Sequence, residues 1–110
     1  MSEVMENVRA HFASKQRKEH FIEQWDVTVY ASPLSIKRYD HIGKLRKEYP
    51  VAEALVRTLV FIAENEDGEK MFNKADISVL LRAGDLRAIA SAVTALTADS
   101  ETDIDTLESD

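Results

Sequence analysis

Residues 51–64 read VAEALVRTLVFIAE, and no other segment restricts the fold of this chain as strongly. Leu55, Val56, Leu59, Val60, Phe61, Ile62 and Ala63 cover most of a helical circumference. A helix that is apolar nearly all round belongs inside a protein. The fold must therefore place other elements on several sides of 51–64, or a second copy of the chain must cover part of it. A chain of 110 residues amounts to about one ordinary domain. It can bury a real core but has little stability to spare.

The flanking sequence supplies those elements. Pro33 closes what precedes it, Ser35 is a suitable N-cap, and a helix is predicted over 36–48. Its apolar face would use Ile36, Tyr39, Ile42 or Gly43, Leu45 and Tyr49, with Lys44, Arg46 and Lys47 near its negative end. Pro50 ends that helix and seats the first turn of the next. Asn65-Glu66-Asp67-Gly68 is a turn, followed by Met71 and Phe72 in a short extended piece. Asn73 then caps a helix, with Asp76 three residues on as in a capping box, and Ile77, Leu80 and Leu81 form its inner face. Gly84 suits the C′ position, and Asp85 caps a last helix burying Leu86, Ile89, Ala90, Val93 and Leu96. Two helices joined so tightly make an αα-hairpin.

Toward the N-terminus, Val4, Met5, Val8 and Phe12 fall at helical spacings over 3–13. The period changes at 19–31, where Phe21, Trp25, Val27, Val29 and Ala31 share one parity and Ile22, Thr28 and Tyr30 the other. One long strand, or a hairpin turning near Gln24–Asp26, satisfies that pattern, though the turn lacks a glycine. At the other end, residues 99–110 hold six acids, no bases, and only Ile104 and Leu107 as sizeable apolar groups, too few to offset ordering entropy. Taking those six from the 20 acids leaves 14, matched by the 14 bases, so the whole net charge of −6 sits in this tail. The predicted fold is mainly α: one small helical domain over 1–98, a β element at about 19–31, and a disordered acidic C-terminal tail at 99–110.

Chemistry is hard to place on this chain. With no cysteine, disulfides and thiolate metal sites are excluded, and a reducing cytoplasm is the expected home. No apolar run is long enough to cross a bilayer, and MSEVMENVRAHF lacks the apolar stretch of a secretion signal. His11, His20 and His41 stand apart without metal-ligand spacing, and Glu64, Glu66, Asp67 and Glu69 do not follow a calcium loop. No serine sits in a GxSxG elbow, and Gly43, Gly68 and Gly84 build no phosphate cradle. Neither catalysis nor a cofactor or metal is expected. Nucleic-acid binding, or a regulatory interaction role, is the rival reading. Lys15, Arg17 and Lys18 form one basic cluster, and Lys37, Arg38, Lys44, Arg46 and Lys47 another. Glu19, Asp40 and Glu48 interrupt them, the body is neutral, and the tail would repel DNA, so charged helix faces are the plainer explanation.

The order of features resembles the tail assembly chaperones of long-tailed phages. A strand-forming segment with tryptophan, Trp25-Asp26-Val27-Thr28-Val29-Tyr30, leads to Pro33-Leu34-Ser35, which opens a helix. An apolar helix with LVRTLVFIA at 55–63 precedes the acidic turn Glu66-Asp67-Gly68, the pair Met71-Phe72, and two short helices over 74–97. The resemblance covers about residues 19–98. Asp26 stands where a glycine often follows the tryptophan, and Ser32 where a basic residue is common before Pro33. The resemblance implies a holdase that binds the tape measure protein in the host bacterial cytoplasm and is absent from the mature virion. It also implies a longer frameshifted form that reaches the major tail protein. Trp25, Val29, Tyr30, Met71 and Phe72 are the candidate partner-binding residues, with core packing the alternative for each.

Overall fold

A computed structural model describes the backbone of residues 2–109 and the side chains of residues 3–98. The expected disorder of 99–110 concerns side chains outside that description. Among the described residues five α-helices and one antiparallel hairpin follow in the order α1 (Ser2–Ser14), β1 (Lys18–Ile22), β2 (Val27–Ala31), α2 (Ile36–Glu48), α3 (Val51–Ile62), α4 (Lys74–Ala83) and α5 (Leu86–Ser109). The chain is mainly helical, with its β element near the N-terminus, as the periodicities require.

Helix α3 is the centre: α2, α4 and α5 all pack against it. Val56, Leu59 and Ile62 from α3 share one core with Ile22, Val29 and Ala31 of the hairpin, Ile42 of α2, and Ile89, Val93 and Leu96 of α5. Thr58 is buried in α3 as well, its hydroxyl satisfied by donating to the Ala54 carbonyl at 2.7 Å. Each fully buried aliphatic side chain contributes about 1.5–3 kcal/mol, which is why this one stretch organises the domain. The helix stops at Ile62, two residues short of the apolar segment's end, because Glu64 is drawn into β pairing.

The two strands pair from Lys18↔Ala31 to Ile22↔Val27, so the β element is a hairpin. Its connection is a 3-10 turn, Glu23–Trp25, closed by Asp26 in the left-handed region at φ 51° and ψ 48°. Aspartate tolerates that region better than most side chains, which is how the turn forms without glycine. Beyond the hairpin, Tyr30 exchanges both backbone hydrogen bonds with Glu64, at 2.9 and 2.7 Å. Glu64 is also bridged to Lys70. The 63–71 segment thereby extends the sheet past β2.

Local signals hold closely. Ser35 Oγ accepts the Arg38 N–H, Pro50 is the N-cap of α3, and Asn73 and Asp76 complete a reciprocal capping box. Asp85 Oδ1 accepts the Ala88 N–H at the start of α5. Three inward assignments fail, all at helix ends. Ile36 is 89% exposed, Leu81 46% and Leu86 50%. Ile42 is the buried residue of α2, and Ile36, the first residue of that helix, lies more than a turn before it. Leu81 and Leu86 flank the α4–α5 corner and overhang it. Gly84 at that corner is not left-handed (φ −78°). A Cβ there would lie 2.5 Å from the Leu80 carbonyl oxygen and 3.0 Å from Ile89 Cδ1, so the glycine is required by close approach.

Candidate partner-binding surface

Alternation along β2 decides the role of its residues. Val29 and Ala31 point inward and are buried, while Tyr30 points outward and is half-buried. Val29, completely buried, is a core residue with no surface to offer a partner. Tyr30 is roofed by its own chain, with the Arg17 guanidinium 4.9 Å from its ring centroid. That guanidinium also pairs with the Glu64 carboxylate at 3.1 Å and donates to the Asn65 and Glu66 carbonyls. Ser32 Oγ lies 2.9 Å from both Glu64 carboxylate oxygens. Arg17 and Ser32 thus both hold the Glu64 carboxylate.

Trp25, Met71 and Phe72 are all half-buried against the core. The 3-10 turn carries Trp25, and the extended run into α4 carries the other two, fixed by the Met71 N–H donating to the Ala63 carbonyl. Trp25 and Phe72 meet in edge-on contact, their centroids 6.5 Å apart. Of the five sequence candidates the structure brings these two rings together; among the described residues, no ring contact links Tyr30 to them.

Two further surfaces stand out. Every described side chain of α1 is exposed, and among the described residues no other element packs extensively along it. Val4 (61% exposed), Met5, Val8 and Phe12 form its uncovered apolar face. The sequence had marked this face but not that the domain leaves it bare. The second surface is a groove of about 280 Å³ between α2 and α4, floored by α3. Arg57 lies 4.0 Å over the Tyr49 ring, and the rings of His41 and Phe61 meet with their centroids 4.4 Å apart. Lys70 and Lys74, which flank Met71-Phe72, stand on its rim. No periodicity in the sequence marks this groove, because its residues come from three helices and a loop.

Among the described residues no group of three or more His, Asp or Glu could hold a metal, and no buried polar side-chain atom lacks a hydrogen-bond partner. No helix among them is long and apolar enough to cross a membrane. Comparison with protein-family models, with curated proteins and with solved structures gives no match to this chain.

Proposed function

We propose that this chain is a tail assembly chaperone of a long-tailed phage. In this reading it keeps the tape measure protein soluble in the host bacterial cytoplasm and is absent from the mature virion. A frameshifted longer form would carry the domain to the major tail protein. The bare apolar face of α1 carries the proposal: a holdase needs apolar surface already exposed and no cofactor, and several copies along one long helical partner supply avidity. The segments that carry the resemblance form the hairpin (Trp25 through Tyr30), the cap of α2 (Ser35) and the lead into α4 (Phe72). The rival nucleic-acid reading loses one cation of the N-terminal basic cluster, because Arg17 is held by Glu64 and two backbone carbonyls.

The test is co-expression with the very long, helix-rich protein that this reading places in the downstream reading frame. The chain should co-purify with it and raise its soluble yield. Val4→Asp with Val8→Asp should abolish the association while leaving the domain's melting temperature in place, because neither side chain is in the core. A partner equally soluble alone, with nothing co-purifying, defeats the proposal.

A further inference from the structure

The groove between α2 and α4 combines an apolar floor with a one-sided rim. Leu45, Val60, Phe61 and Ile77 supply the floor. Arg57, Lys70 and Lys74 stand around it, against one lining acid, Glu48. Among the described residues Lys70 and Lys74 have no carboxylate within ion-pair distance, whereas Arg57 is shared with Glu53 at 2.9 Å. This concentration of cations is local, because acids and bases balance over residues 1–98. We propose that the groove is a docking site for an amphipathic helix of a partner protein whose polar flank is acidic.

The shape argues for a helix. Both walls are helices resting on α3, so the side chains of a further helix laid along the groove would pack against helical surfaces on both sides. Its apolar residues, spaced three and four apart, would enter the floor, in the helix-in-groove mode of recognition. The charge argues for an acidic flank. A basic helix would face Lys70 and Lys74 unscreened, and like charges brought together at an interface select against it. One of the cations is also pre-positioned: Arg57 is clamped between the Tyr49 ring and Glu53. A nucleic acid would profit from the cations but not from four aliphatic and aromatic side chains beneath them.

Two labelled peptides test this on the full-length chain, each about 18 residues or five turns long. Both carry leucine and alanine on one face; the other face is glutamate in one and lysine in the other. In fluorescence anisotropy the glutamate peptide should bind and the lysine peptide should bind far more weakly. Lys70→Glu with Lys74→Glu should weaken the glutamate peptide at least about fivefold, and Lys15→Glu, away from the groove, should not. Raising salt from about 50 to 500 mM should also weaken binding. The exposed lysines leave the fold intact, which circular dichroism checks. Equal binding of the two peptides, no binding of either, or indifference to the Lys70/Lys74 reversal overturns the proposal. So does displacement of the peptide by a DNA duplex, or self-association of the chain that the same reversal abolishes. None of these readouts involves the tape measure protein, so this proposal and the chaperone reading can fail independently.

Discussion

The edge of one ring meets the face of the other where Trp25 approaches Phe72, with centroids 6.5 Å apart and planes 76° to each other. The two residues belong to distant segments, and their contact joins the hairpin turn to the start of α4. Edge-to-face pairs contribute about 0.5–1.5 kcal/mol beyond area burial. Trp25→Ala, Phe72→Ala and the double variant should therefore show a coupling of about 1 kcal/mol in urea unfolding. Strictly additive effects would mean that the rings touch without stabilising each other.

Val60 tests the centre of the fold. It is 5% exposed and lies on α3 beneath the groove. Val60→Asp places an unpaired carboxylate there, at a cost of several kcal/mol, a large share of a small domain's stability. A melting temperature close to the parent's would show that α3 is not central.

Asp26 offers a test that leaves packing untouched, because it is exposed and its left-handed backbone is the only unusual thing about it. Asp26→Gly should leave stability level or raise it by up to about 1 kcal/mol, whereas Asp26→Val should lower it by about 1–2 kcal/mol. Thermal melts of both variants decide the matter.

Gly84 makes the opposite point. Its φ is ordinary, so alanine is acceptable to the backbone and unacceptable to the neighbours. Gly84→Ala should cost about 1–3 kcal/mol, since the clash at 2.5 Å is with a backbone carbonyl that cannot swing away. A variant as stable as the parent would mean that the α4–α5 corner relaxes freely.

These sites mark how far the sequence could be read. Caps and breakers act over three or four residues, so Ser35, Pro50, Asn73 and Asp76 declared their helices. The unbroken apolar run declared α3 and the burial of Val60. What could not be read depends on distant partners. The parity that carried Val29 inward was visible, but nothing in it distinguished a core valine from a contact residue. Ile36, Leu81 and Leu86 sit at correct spacings on helices whose ends project past their neighbours. Glu64 makes a β bridge of a single residue, too short to leave an alternating pattern. Within the candidate surface the aromatic residues were legible as types. The groove cations were not, because Arg57 and Lys74 come to line one groove only after α3 and α4 pack.

The Glu64 pairing also bears on how the chain folds in time. Glu64 pairs with Tyr30 on the outer edge of β2 and grips Ser32, 32 positions earlier, with α2 and α3 lying between them. The hairpin is local and forms within microseconds, but its outer edge is covered only once both helices have been synthesised and folded back. During that interval a strand carrying valine and tyrosine presents unsatisfied backbone groups to whatever is nearby, the circumstance in which nascent chains misassociate. Slowing translation across residues 32–64 would lengthen that exposure, so soluble yield should respond to elongation rate in this stretch more than anywhere else in the chain.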